Sequence, residues 1–400
     1  MPPLRRMPAL PVLPALPVRR LPAAALALAA ALATCLVGSP ADAVSDRARQ
    51  PHLSFSGEST LAAGLTFQGT VVGGLSSITY DAARDRYYAL SDAQPNLGQG
   101  PVRFYTLTVD TSDGSLDAGD VEVVGVTLLT DPDGVPLQGG TVDPEGLTLT
   151  PQDTLIMTSE GFSTAASEVP PFVREFSLAG RQLREIDLPA YVDPDFGAAG
   201  VRQNLGLESA AVTPDGRRLL TGFENALAQD GPASTLTTTS ASRLLDVELA
   251  TGDVEREYVY RDDPVAEAPV PAGQFTVNGL VELLPFNRRF GLSMERSFSV
   301  GAGNTIKLYR YALAGADDVS GVAELDDAAP VREAAKKLVL DLDAVAEPEG
   351  LTLDNLEGMT LGPRLPDGSR ALLLVSDNNF TPGQVSQFLL FSADGVGPAA

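Results

Sequence analysis

Cysteine, histidine and tryptophan are almost missing from this chain of 400 residues, with one, one and none. The cysteine, Cys35, falls in an N-terminal stretch with the character of a leader. The remainder therefore has no thiol for a disulfide, a thiolate metal site or a cysteine nucleophile. The sole histidine, His52, lies close to the expected start of the mature chain, in what reads as a loose terminus. That argues against a Ser-His-Asp triad, histidine-ligated zinc and a phosphohistidine mechanism. Lysine occurs only at 307, 336 and 337, and no Gly-x-x-x-x-Gly-Lys phosphate loop is present. Hydrolytic chemistry in such a chain would have to rest on carboxylates and metal-activated water.

Basic residues number 28 against 52 acidic ones, for a formal net charge of −24. A body so negative repels nucleic acid and anionic lipid, so neither is expected as a partner. It suits divalent cations, and equally it suits solubility outside the cell. Arg5, Arg6, Arg19 and Arg20 precede an apolar run from Leu21 to Val37 that ends near Ala41-Asp42-Ala43. Basic, apolar and small residues in that order mark a secretory signal peptide. No stretch reaches the twenty or so apolar residues of a transmembrane span. The expected organisation is a signal peptide over 1–43, a flexible segment over 44–60 and one domain over 61–395. Losing 1–43 removes four arginines and one aspartate, which moves the net charge from −24 to −27. The expected location is extracellular or periplasmic. Leu32-Ala33-Thr34-Cys35 only loosely resembles a lipoprotein box, since Thr is a poor residue before the Cys, so lipid anchoring is the lesser expectation.

What the chain does have is a repeat. Glu145-Gly-Leu-Thr-Leu-Thr-Pro, Glu208-Ser-Ala-Ala-Val-Thr-Pro and Glu357-Gly-Met-Thr-Leu-Gly-Pro share one pattern, and related copies begin at Gly74 and Gly279. The starts are separated by 71, 63, 71 and 78 residues. After each comes a turn, often Pro-Asp-Gly, and then an apolar strand ending in an acid: Asp92, Glu160, Glu224, Glu295 and Asp377. A third, alternating strand follows in every copy and a fourth in most. Four antiparallel strands per repeat predict an all-β propeller of five detected blades, with room for a sixth in the long connections at 112–142 and 312–356. The last copy lacks a fourth strand, and Gly64–Val72 is the expected N-terminal strand that closes the ring. Asp327–Lys337 is the best helix candidate.

In an antiparallel hairpin the start of the first strand lies beside the end of the second. Glu145 is therefore expected near Glu160, Glu208 near Glu224 and Glu357 near Asp377, with Gly74 and Gly279 bringing Asp92 and Glu295 to the same channel mouth. Asn204, Asn225, Asn278, Asn355, Asn378 and Asn379 add neutral oxygens. Hard oxygen donors without imidazole or thiolate favour Ca²⁺, with Mg²⁺ as the other option. Strand-capping is the plain alternative for such acids, but crowded carboxylates call for a cation or raised pKa values. Arg296 is the candidate to hold a phosphate through its planar fork. Arg103, Arg174, Arg243 and Lys307 recur near third-strand starts, where ion pairing is expected.

Gly73-Gly-Leu-Ser-Ser-Ile-Thr-Tyr-Asp81, Asp143-Pro-Glu-Gly146, Asn204-Leu-Gly-Leu-Glu208, Met294-Glu-Arg-Ser-Phe298, Asp354-Asn-Leu-Glu-Gly358 and Val375-Ser-Asp-Asn-Asn-Phe380 together resemble the secreted bacterial phytase-like family, also called the esterase-like activity of phytase. The resemblance runs from about residue 60 to the C-terminus, and it implies a β-propeller, export and phosphoester hydrolysis. The Arg-His-Gly signature of histidine acid phosphatases is absent. The leading expectation is a monomeric, divalent-cation-dependent hydrolase of phosphate esters, phytate among them. Metal-activated water would attack phosphorus, with Glu145, Glu208, Glu357 and Arg296 as catalytic groups. Asp92, Glu145, Glu160, Glu208, Glu224, Glu295, Glu357 and Asp377 are the expected metal ligands. The alternative is a non-catalytic propeller that binds a ligand or protein at the cell surface.

Overall fold

Runs such as Ala371-Leu-Leu-Leu-Val375 carry apolar side chains at every position, which a strand tolerates only when both of its faces are covered. The computed structural model, which describes residues 50–93, 97–137, 141–164, 167–326 and 328–397, shows how that happens. The expected leader lies outside those residues. Five four-stranded antiparallel sheets stand around a central channel, and the apolar runs are the second strands. Blade 1 comprises Leu75–Asp81, Arg86–Ser91, Arg103–Val109 and Val121–Leu128. Blade 2 comprises Pro144–Leu149, Thr154–Ser159, Phe172–Ser177 and Gln182–Ile186. In blade 3 the strands are Leu207–Val212, Arg218–Phe223, Ser240–Glu248 and Val254–Asp262, and in blade 4 Thr276–Pro285, Phe290–Ser299, Gly303–Ala312 and Ala335–Asp341. Blade 5 joins Asn355–Arg364, Arg370–Asp377 and Ser386–Asp394 to the N-terminal strand His52–Leu61. The first strand of each blade touches those of its two neighbours, which closes the ring at five.

Side-chain alternation sends successive residues of a second strand into different layers. Leu372 and Leu374 pack between blades 4 and 5, whereas Ala371, Leu373 and Val375 pack between blades 5 and 1. Leu155 and Met157 likewise join the layer between blades 1 and 2, and Ile156 the layer between 2 and 3. The core is thus a set of interblade layers, each built from two sheets.

Three expectations need correction. Closure comes from His52–Leu61, which pairs with Ser386–Asp394 in the register His52 to Asp394 and Leu61 to Ser386. Residues 66–71, in the segment expected to close the ring, instead form a two-residue hairpin, Thr66–Phe67 with Thr70–Val71. His52–Thr60 are therefore held in a strand and are not a loose terminus; Phe55 reaches the Phe391 ring at 5.7 Å, edge to face, and this apolar contact favours the earlier segment. No helix forms over 328–337; residues 335–337 begin the outer strand of blade 4, and a helix forms over Asp343–Glu349 instead. Lys336 explains the strand: its ammonium stands 4.4 Å from the Tyr309 ring centre and 2.8 Å from Asp263. The long connections hold no sixth blade among the described residues. No helix among them is long and apolar enough to cross a membrane.

The closing strand gives a test. Deleting residues 50–61 bares the full edge of Ser386–Asp394, and an unpaired apolar edge templates aggregation. The truncated chain is expected to run as aggregates in size-exclusion chromatography. A soluble monomer with unchanged thermal unfolding would refute this account of closure.

Candidate functional site: an acidic channel mouth

Every inner strand carries one extra residue against its partner near its start. Leu75 faces Ser91 and Ser77 faces Leu90, which leaves Ser76 as the surplus residue. The same count isolates Glu208 in blade 3, Val281 in blade 4 and Glu357 in blade 5. In blade 2 the irregularity falls between Pro144 and Leu147, and Glu145 is the equivalent residue. Such bulges bend a strand and re-aim a side chain. Aligned this way, the counterparts of the three glutamates are Ser76 and Val281, and not Gly74 and Gly279 as the repeat alone suggested.

The second strands end just beyond. Asp377 pairs with Asn355, and the registers place Asp92 across from Gly74, Glu160 from Asp143 and Glu224 from Gly206. In blade 4 the residue paired with Gly279 is Arg296, so the ring holds four acids and one arginine. Glu295 is one position earlier and points elsewhere. It accepts hydrogen bonds from Tyr260 Oη at 2.8 Å, Asp263 N at 2.9 Å and Asn278 Nδ2 at 3.1 Å, and it pairs with Lys336. The expectation that Glu295 stands at the mouth is therefore not met, because strand alternation gives that direction to its neighbour.

The glycines make room for these acids. A Cβ on Gly74 would lie 2.1 Å from Asp92 Oδ1, one on Gly206 2.7 Å from Glu160 Cγ, and one on Gly279 2.3 Å from Glu224 Cγ. Gly206 N donates to Glu160 Oε1 at 2.8 Å, so the acid ending one blade is tied to the inner strand of the next.

Asp92, Asp143, Glu145, Glu208, Glu224, Arg296, Glu357 and Asp377 line one cavity of about 720 Å³ together with Asn204, Asn355 and Asn379. Glu160 lies buried behind them. Asn225, Asn278 and Asn378 are spent on local bonds: Asn225 with Asn278 O and Ser234 N, Asn278 with Asp263 O, and Asn378 with Gly74 N. Single carboxylate oxygens of Asp143, Glu145 and Glu160 lie within 4.8 Å of one another, as do those of Glu160, Glu208 and Glu224. These two all-oxygen groups share Glu160 and fit the donor set of a hard divalent cation. One Asp92 oxygen is buried without a partner, an acceptor left open at the mouth. Asp143 was not singled out as a ligand from the sequence, although Asp143-Pro-Glu145 places it two residues before the bulge glutamate.

Burial is the main force on the acids, with like charges adding to it. It holds Asp92, Glu145, Glu160, Glu208 and Asp377 well above the usual carboxylate range. Burial also raises Glu224, to about 7, against the opposing pull of Arg296. Arg296 Nη2 donates to Glu357 at 2.9 Å and to Glu224 at 3.4 Å, while its Nε–H has no acceptor. Asn355 Nδ2 donates to the same Glu357 oxygen at 2.9 Å and so fixes the carboxylate that orients Arg296.

Other charged groups have structural partners. Arg243 is fully buried against Asp230 at 2.5 Å and Glu257 at 3.2 Å, Arg174 meets Glu185 at 2.7 Å, and Arg103 Nε donates to Tyr105 Oη at 2.7 Å. Glu282, which follows Val281, accepts from Ser77 Oγ at 3.2 Å and lines the cavity at the far end of the channel, about 570 Å³.

A secreted protein of Arthroderma benhamiae, itself uncharacterised, is 24% identical over 250 residues, which is 48% of this chain and 49% of that protein. The chain thus spans about half the length of this curated relative. A Bacteroides caccae protein of unknown function aligns at 12% identity and TM-score 0.31, over 74% of this chain and 66% of that one. The periplasmic gluconolactonase of Pseudomonas aeruginosa aligns at 13% identity and TM-score 0.33, over 82% and 88%. No inference rests on likenesses that weak. The profile of one family matches residues 70–380, nearly the whole propeller. By that match the chain belongs to the phytase-like family, the esterase-like activity of phytase.

Proposed function

We propose that this propeller is an exported phosphoric ester hydrolase that depends on a divalent cation held at the acidic mouth. One observation carries the reading: two overlapping all-oxygen acid groups adjoin, at a single cavity, a guanidinium that pairs with Glu224 and keeps an unused donor. The acids would hold a cation, and the guanidinium would hold the phosphate. Asp143, Glu145, Glu160, Glu208 and Glu224 hold the cation, and the absence of imidazole and thiolate donors selects Ca²⁺, or Mg²⁺, over zinc. Bound there, the cation supplies Lewis-acid charge that acidifies water and offsets charge on the phosphate.

The chain's own residues do the rest. Arg296 neutralises a phosphate oxygen, and Glu357 with Asn355 keeps its fork in place. Water adds to phosphorus as the alcohol leaves, and the departing oxygen takes up the proton that the water gives up. Export rests on the leader character of residues 1–43, in keeping with the secreted protein among the relatives. One chain supplies every group named, so a monomer suffices.

Phosphate release from an aryl phosphate is expected only with Ca²⁺ or Mg²⁺ present, and to vanish in chelator. Glu145→Gln and Glu208→Gln are each expected to lower turnover by about 10²-fold, as is Arg296→Lys, which loses the planar fork. No turnover with any metal would end the enzymatic reading. Cation binding without turnover would favour a ligand-binding propeller.

The pH dependence of stability has a definite sign. A carboxyl raised from 4.5 to about 7, as Glu224 is, leaves the folded state holding more protons than the unfolded chain between those values. Its stabilisation is complete below 4.5 and is lost as the pH rises through 7. Cation-free protein is therefore expected to melt several degrees lower at pH 8 than at pH 5, and Ca²⁺ is expected to abolish most of that difference. Equal melting points at the two pH values in chelator would contradict it.

A further inference from the structure

Arg296 and Phe298 are two residues apart on one strand, so they face the same side, roughly 7 Å apart along the strand. Phe298 pairs with Val277, and its ring lies 6.3 Å from that of Phe275. All four side chains line the mouth cavity, joined across it by Leu97 and Leu353. Phe275 is 62% exposed and Leu97 64% exposed, so an apolar lip stands open to solvent at the edge of an otherwise acidic mouth. No packing role accounts for a ring so exposed. It flanks the one guanidinium that can receive a phosphate.

Charge points the same way. Eight carboxylates line the cavity against that single guanidinium. Each further phosphate on a substrate adds about −1.5 to −2 charges, and no second guanidinium or ammonium lines the cavity to meet it.

We propose, resting on the hydrolase reading above, that the substrate class is phosphomonoesters with an apolar alcohol portion, seated on the Phe275–Phe298 lip with the phosphate at Arg296. Polyphosphorylated polyols such as phytate are disfavoured. This makes Phe275 and Phe298 specificity-determining residues.

The full chain, loaded with Ca²⁺, is to be assayed on hexyl phosphate, glycerol phosphate and phytate; the first two have similar leaving groups. Hexyl phosphate is expected to exceed glycerol phosphate by about tenfold in kcat/KM, the scale of one ring contact, with phytate slowest. Phe275→Ala, an exposed position that leaves the core intact, is expected to close most of that gap through KM. Equal rates on all three esters, or phytate the fastest, would overturn the proposal. Calorimetric binding of hexylphosphonate and methylphosphonate, which have no scissile ester, separates the two ideas. If no ester turns over but hexylphosphonate binds about tenfold tighter, the hydrolase reading fails and the lip stands. Equal or absent binding of the two phosphonates overturns the lip whatever the turnover.

Discussion

One surplus residue near the start of each inner strand governs the mouth. Strand pairing has a period of two, so an unbroken ladder would send alternate residues into the interblade layers all the way to the strand's end. The bulge interrupts that alternation after Leu75, Leu207, Leu280 and Leu356, each of which stays fully buried in a layer. The next residue is then free to point differently. In blades 2, 3 and 5 it is Glu145, Glu208 or Glu357, and all three line the cavity. Removing the bulge would turn these carboxylates into apolar layers, where an unpaired charge is costly.

The ring concentrates what a stable fold avoids. Buried acids repel one another, and the glycines at 74, 206 and 279 hold no side chain that would keep them apart. Hydrogen bonds from Gly206 N and Asn355 Nδ2, and the charge of Arg296, relieve part of the strain. The interblade layers carry the remainder. Local inconsistency of this kind, set in an otherwise consistent fold, is what functional sites show.

Much of this was legible before any coordinates. The hairpin pattern, the turn residues and the apolar second strands each reflect local physics, and they led directly to blades and to a mouth gathering Asp92, Glu145, Glu160, Glu208, Glu224, Glu357 and Asp377. The failures trace to distance and to single-residue register. Choosing His52–Leu61 over Gly64–Val72 as the closing strand depends on contacts with Ser386–Asp394, more than 300 residues away. Glu295 and Arg296 were both seen, but only the pairing of Gly279 with Arg296 reveals which of the two faces the channel. Glu349, which repeats the Glu145 motif, lies exposed at the end of a helix, so Glu357 is the true equivalent.

Blade 4 departs from the others most, at two ring positions. Val281 stands where three blades have glutamate and is buried in an apolar cluster; Arg296 stands where the other four have an acid. Two residues further along the same strand Phe298 lines the cavity as well. A mouth with five identical blades would be an isotropic acid ring, able to attract cations but indifferent to the orientation of anything else. Changing one blade gives the mouth one positive and apolar stretch within an otherwise acidic ring. That polarity, and not the number of carboxylates, is what would let the proposed site hold an ester with its phosphate at Arg296 and its alcohol on the lip.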